Sequence, residues 1–169
     1  MRYTRVQIAS LGYELAPVVV SSEELEERLA EFYGQLRIAP GQLEALTGIA
    51  ERRWWPAGYR LSDGAIAAAH KALAGSGVRP QDLGAVVYAG VCREGFEPAT
   101  ACRVAGEIGT APNAAVYDLS NACLGVMNGM LDVANRIELG QIRAGLVVSC
   151  ESAREIVEET VGRMLATRN

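Results

Sequence analysis

Residues 83–90, Leu-Gly-Ala-Val-Val-Tyr-Ala-Gly, are apolar almost without interruption. A strand of that pattern has no face to give to water, so it belongs inside a sheet covered by helices on both sides. Such a sheet is mostly parallel, and parallel neighbours need long crossover connections, usually helical. The flanking sequence supplies them. Residues 5–11 (RVQIASL) read as a first strand, and Ser21 with Glu24 forms a capping box for a helix through SEELEERLAEFYGQL. A short helical piece follows near PGQLEAL, and IAERRWW can extend. Ser62 or Asp63 can cap DGAIAAAHKALAG, which Gly75 and Gly77 stop before Pro80. After the buried strand, Pro98 opens a helix at its first position. AAVYDL (114–119) and AGLVVSC (144–150) are further strands, separated by a long helix, and the tail begins helical. With no internal repeat and no low-complexity linker, residues 1–169 read as one α/β domain with a mostly parallel sheet and helices on both faces.

Charge and cysteine usage exclude several functions. Sixteen Lys and Arg against twenty Asp and Glu give a net charge of −4, so no basic face is announced for nucleic acid or an anionic membrane. Cys92, Cys102, Cys123 and Cys150 form no C-x-x-C pair and His70 is the only histidine, which leaves no metal site to assemble. Unclustered thiols read as reduced cysteines of a cytoplasmic protein. Gly12, Glu14 and Pro17 interrupt the apolar N-terminal run before it reaches the length of a leader, and no span is long enough to cross a bilayer.

The helix from 122 to 137 is unusual. Small or apolar side chains surround most of it, and no charge precedes Asp132. A helix without a polar stripe is buried on all sides, so something beyond this single layer is expected to cover it. Cys123 stands where AAVYDL turns through Ser120 and Asn121 into that helix. A helix N-terminus offers unpaired N–H groups and the positive end of its dipole, which suit a nucleophilic sulfur and an oxyanion on an attached carbonyl. Gly125 and Gly129 are expected to keep the helix slim enough for a substrate arm to approach. A lone cysteine is also commonly a small buried hydrophobe. A nucleophile needs a proton acceptor besides, and His70, on an amphipathic helix beside Lys71, reads as a solvated residue.

Several motifs in order carry a family resemblance. DLSNACLG with its Ala/Gly/Met-rich helix, GIAERRWWP with SDGAIAAAHKAL, LGAVVYAG, and FEPATA together resemble the thiolase superfamily in its ketoacyl synthase III branch, most of all the OleA-type thiolases of olefin biosynthesis. The resemblance implies a fold of two similar halves, each a five-stranded sheet with helices, whose central helices pack between the sheets. This chain matches the N-terminal half. The resemblance makes Cys123 the acyl-accepting nucleophile and places the partner histidine and asparagine in the other half, carried in the same longer chain or by a separate subunit. It makes Glu97 the base that removes the α-proton of a second acyl-CoA, reaching across a homodimer into the partner's site. The residues alone also allow Glu97 to cap the helix opened by Pro98.

Asn121 shapes the turn before the nucleophile, and with Gly125 is a candidate substrate-binding residue. Trp54 and Trp55 read as core and interface residues or as an acyl-channel lining. Where ketoacyl synthases III hold coenzyme A with a tryptophan and an arginine, this chain has Gln42 and Leu46, leaving Arg52 and Arg53 for phosphates or surface carboxylates. The expected function is acyl transfer to Cys123 and Claisen condensation with a second thioester. Coenzyme A or acyl carrier protein thioesters serve as substrates, and no resident cofactor is expected. The alternatives are a decarboxylative synthase using malonyl-acyl carrier protein and a non-catalytic half-subunit of a heteromer.

Overall fold

The computed structural model describes residues 2–166. In chain order they form β1 (Val18–Ser21), α1 (Ser22–Arg28), α2 (Ala30–Leu36), α3 (Gln42–Thr47), β2 (Glu51–Trp54), α4 (Leu61–Ser76), β3 (Ala85–Ala89), α5 (Thr100–Ile108), β4 (Ala115–Leu119), α6 (Gly125–Glu138), β5 (Gly145–Val148) and α7 (Arg154–Ala166). These group into two compact units. One joins the N-terminal residues through Glu14 to Arg60–Glu151, and the other joins Leu15–Tyr59 to the segment from Ser152 onward.

The first unit is built on the buried run singled out above. Its sheet has the order β4-β3-β5 with both pairings parallel, Val87 lying opposite Tyr117 on one side and Val147 on the other. Every residue of β3 is buried. Because side chains alternate across a strand, Ala85 and Val87 serve one face, where they pack with Val133 and Ile137 of α6. Val86 and Tyr88 serve the opposite face, and α4 and α5 pack on the sheet with Ala65, Ala69, Ala101, Val104 and Ile108 buried. Each large aliphatic side chain so removed from water contributes about 1.5–3 kcal/mol.

The described residues hold three parallel strands, where the resemblance implied five. Residues 5–11 form no strand. The segment is fastened otherwise: at its start the Thr4 and Arg5 N–H groups donate to the Glu138 carboxylate, and the Ser10 side chain donates through Oγ to the Ala72 carbonyl of α4. Gly12 lies against α4, where a Cβ would sit 2.4 Å from the Ala68 carbonyl oxygen. Among the described residues the segment pairs with no strand and is held by side-chain bonds and by α4. Helix α4 begins at Leu61 and is not capped by Ser62 or Asp63; Gly77 ends it at φ +70° and Gly75 lies within it. Helix α5 begins at Thr100, two residues after the expected start at Pro98.

The second unit carries an antiparallel pair, β1 with β2, in which Val18 faces Trp54 and Ser21 faces Glu51. Ser21 caps α1, its Oγ accepting the Glu24 N–H at 2.9 Å, which is one of the two bonds of the expected capping box. The helix it starts breaks at Leu29 into α1 and α2. Val20, Leu25 and Trp54 make the core, with Leu43 and Val157 against it. Trp54 and Trp55 are both buried; Arg154 lies 5.4 Å over the Trp54 ring and donates to the Trp55 carbonyl, and Trp55 stacks on Tyr59 at 4.2 Å. Both indoles are therefore core residues.

Glu26 is the polar centre of this unit. Its side chain is buried, and its carboxylate accepts the N–H groups of Gly41 and, at 2.6 Å, Leu43. It thereby caps α3, whose own N-cap is a glycine without a side chain. The hydrogen bonds from Leu43 and Gly41 hold the Glu26 pKa below the ordinary glutamate value. A pKa lower in the folded than in the unfolded state gives stability that is present above the unfolded value and lost as pH falls through the folded one. Glu26→Gln is thus expected to lower the melting temperature of the intact protein at about pH 7, and the gap between parent and variant should close as the pH is taken below about 4. Thermal melts across that range check it; a gap independent of pH would contradict the role.

Candidate active site

The two residues singled out for chemistry leave the sheet at the C-terminal ends of adjacent strands, the edge at which open α/β sheets place their ligands. Strand β4 ends at Leu119, and Ser120 and Asn121 lead into a tight 3-10 turn, Ala122–Leu124, that passes into α6. Ala122 has φ +44°, a left-handed conformation that costs a non-glycine residue about 1–3 kcal/mol. This turn leaves Cys123 exposed. Asn121 holds it from both sides: its backbone carbonyl accepts the Leu124 N–H at 2.9 Å, and its side-chain amide donates to Asn128 Oδ1 at 2.6 Å. No side chain caps the start of α6; the Gly125 N–H donates to the Ala122 carbonyl, so the turn that bears the thiol runs directly into the helix.

The helix glycines do something other than expected. A Cβ at Gly129 would stand 2.9 Å from Val147 Cγ1, so this glycine lets α6 settle onto β5. Gly125 is also buried, against Ala89, Gly90 and Leu119, where a Cβ would meet only ordinary contacts at 3.8 Å. Both face the sheet and leave the opposite side of the helix to Val126 and Met127, which are exposed along with Leu124. The helix therefore has one face in the core of this chain and one apolar face in solvent.

Glu97 lies on the loop between β3 and α5, and three carboxylates fasten that loop. Glu151 accepts the N–H groups of Val91 (2.7 Å) and Cys92 (3.1 Å) at its start. Tyr88, buried in β3, donates its hydroxyl to the carbonyls of Cys92 and Cys150; burial raises its pKa far above the ordinary tyrosine value, so it acts as a neutral donor. In the middle, Glu94 accepts from both the N–H (2.8 Å) and the hydroxyl (2.6 Å) of Ser62, at the start of α4. Arg103 adds a hydrogen bond to Ser62 Oγ and an ion pair to Asp63 at 2.6 Å. At the far end, Asp118 of β4 accepts the N–H groups of Thr100 (2.9 Å) and Ala101 (2.8 Å).

Asp118 thus supplies the cap of α5 from a neighbouring strand, and the reading of Glu97 as that cap does not hold. The helix starts three residues after Glu97, its N-cap Ala99 has no capping side chain, and the first two N–H groups are already taken. Glu97 is exposed beside Phe96, itself 98% exposed, and the Glu97–Pro98 peptide is cis.

The remaining candidates lie elsewhere. His70 is exposed on α4, and the neighbouring Lys71 pairs with Glu14 at 2.7 Å. Arg52 donates to Ser22 Oγ and Arg53 to the Ala16 carbonyl. Leu46 is largely exposed. Sequence reasoning missed Asp118, Glu94, Glu151 and Asn128. Only Asp118 carried a signal, as the single charge in the otherwise apolar run AAVYDL.

The close fit of α6 on β5 has a measurable consequence. Gly129→Val is expected to destabilise the intact protein by about 1–3 kcal/mol through overpacking. Gly125→Ala should be neutral or slightly stabilising, since alanine is the better helix former and meets no close atom. Denaturant unfolding of the two variants checks the contrast, and equal effects would contradict the packing described.

The chain is similar to known proteins in sequence and in fold. The chain is 67% identical over 166 residues to an acyl-CoA:acyl-CoA alkyltransferase of Shewanella oneidensis, covering 98% of this chain and 48% of that protein. It is 31% identical over 156 residues to a β-ketoacyl-[acyl-carrier-protein] synthase III of Rhodospirillum rubrum, covering 92% of this chain and 46% of that protein. Among solved structures, a crystal structure of Xanthomonas campestris OleA with bound lauric acid and lauroyl-CoA superposes with a TM-score of 0.90 at 36% identity, over 96% of this chain and 48% of that one. Other solved variants of OleA replace a glutamate or a histidine, and the lauroyl-CoA form replaces a cysteine. No family model matches the chain. No helix among the described residues is long and apolar enough to cross a membrane. The chain spans about half the length of the curated relatives it matches, and over that length it is similar, in sequence and in fold, to acyl-CoA:acyl-CoA alkyltransferases of the OleA type and, more distantly, to β-ketoacyl synthases III.

Proposed function

We propose that this chain is the nucleophile-bearing, N-terminal half of an acyl-CoA condensing enzyme. The Cys123 sulfur attacks the carbonyl of an acyl-CoA, the coenzyme A thiolate leaves, and an acyl thioester remains on the cysteine. Glu97 then removes the α-proton of a second acyl-CoA, and the resulting carbanion attacks the acyl-cysteine carbonyl. The Cys123 thiolate departs and a β-ketoacyl thioester is formed. N–H groups at the start of α6 stabilise the oxyanion that develops on the acyl carbonyl.

The observation that carries this reading is the turn itself. A strained, hydrogen-bonded strand-to-helix junction presents an exposed cysteine in the turn that leads directly into α6, with no side chain capping the helix start. Its supports are independent of one another. The glutamate and the cysteine replaced in the OleA variants are separated by the same number of residues as Glu97 and Cys123. Glu97 is exposed and released from capping duty. The histidine replaced in OleA lies further past its cysteine than this chain runs past Cys123, which fits a proton acceptor supplied from the complementary half. That half also provides the cover for Leu124, Val126 and Met127. The working assembly is a homodimer in which Glu97 serves the partner's site, and long-chain acyl-CoA is the substrate class.

The test uses the intact protein with lauroyl-CoA and no malonyl donor. Intact-protein mass spectrometry is expected to show acylation of Cys123, and chromatography a β-ketoacyl product. Cys123→Ala should abolish both. Glu97→Gln should leave acylation nearly intact while lowering condensation by about 10²-fold or more, the usual loss for a general base. Turnover only with a malonyl donor would favour the decarboxylative chemistry instead, and absence of any acyl-enzyme would overturn the reading.

A further inference from the structure

Glu97 has no hydrogen-bonding partner among the described residues, so its place is decided by whatever holds the two ends of its loop. The nearer end is at Thr100, three residues on, and there the fastening is the Asp118 carboxylate. Its two oxygens take one N–H each, Thr100 on Oδ2 and Ala101 on Oδ1. The same Asp118 lies five residues before Cys123, on the strand that delivers the thiol. That side chain therefore ties the start of α5, where the Glu97 loop ends, to β4. A further bond ties the start of the arm to β4, the Gly90 N–H donating to the Leu119 carbonyl at 3.1 Å.

We infer that Asp118 is a positioning residue for the condensation step, acting through Glu97 by fixing the start of α5 to the end of β4. This rests on the assignment of Glu97 as the α-proton base. A carboxylate suits the task for three reasons. It accepts two N–H groups at once, it complements the positive end of α5, and held in that bidentate grip it has little freedom left. Loosening the grip shifts the origin of the Glu97 arm. Removing a proton from carbon is sensitive to such a shift, whereas attack by Cys123 on the first acyl-CoA is served by a turn that Asn121 holds independently.

The experiment measures acylation and condensation separately in the intact protein with lauroyl-CoA. Asp118→Asn keeps one acceptor oxygen and turns an amide donor toward the other backbone N–H. Thr100→Pro removes one of the two N–H donors without touching Asp118; Ala99, at φ −52° and ψ 142°, already has the conformation that precedes a proline. Both variants are expected to keep the parental burst of acyl-Cys123 and to lower the rate of condensation per acyl-enzyme by about tenfold to a hundredfold. In the Glu97→Gln background, Asp118→Asn should add little further loss, because both changes act on one proton transfer. If the variants lower acylation and condensation in equal proportion, or if the losses from Asp118→Asn and Glu97→Gln multiply, Asp118 is a structural cap only and the inference fails. If Glu97→Gln itself condenses at the parental rate, the fault lies instead with Glu97 as base. Should Asp118→Asn fail to fold, Thr100→Pro and its combination with Glu97→Gln decide the matter alone.

Discussion

A parallel strand with apolar side chains on both faces cannot exist at a surface, and the first unit is arranged around satisfying β3. Its two edges are taken by β4 and β5 and its two faces by helices, so that Ala85 through Tyr88 lose all contact with water. Parallel pairing forces each connection to travel back along the sheet, which is why α5 and α6 must exist and why they start at the same edge. Three features of this unit follow the strands at that edge: the Glu97 loop after β3, the Cys123 turn after β4, and Glu151 after β5. The site is a by-product of the topology in position and a product of local residues in detail.

Those details are written largely in carboxylates that bind backbone. Glu26 caps α3, Asp118 caps α5, Glu138 takes the N–H groups of Thr4 and Arg5, and Glu151 takes those of Val91 and Cys92. Each satisfies donors that a loop or helix start would otherwise leave unpaired, and a charged acceptor does so about twice as strongly as a neutral one. The negative net charge of this chain is consequently not a solvated coat alone. Part of it is internal fastening, concentrated where segments without regular structure must be held still.

Helix α6 presents two apolar faces, one of them in the core of this chain. Gly129 and Val133 press it onto the sheet of this chain, while Leu124, Val126 and Met127 present apolar surface outward. For a helix this is an expensive arrangement in isolation and a natural one beneath a second layer. The sharp entry at Ala122 leaves the Cys123 thiol exposed at the start of this helix.

The α/β class, the buried strand β3, the cap at Ser21 and the turn into α6 at Cys123 were all legible from the chain, because each depends on a local pattern: an apolar run, a residue pair three apart, a charge-free helix after a polar turn. Residues 5–11 misread as a strand because an apolar, β-branched segment is equally content to lie extended along a helix, and nothing local says which surface will receive it. The helix start at Thr100 in place of Pro98, the sheet-facing of Gly125, and the roles of Asp118, Glu94 and Glu151 escaped for the same reason. A cap supplied by a residue 18 positions away leaves no trace in the helix it caps. By itself the sequence determined which segments must be buried and where a nucleophile could stand. Only the tertiary structure decided which carboxylate fastens and which is left exposed, since hydrogen-bond partners are chosen by distance in space and not by distance along the chain.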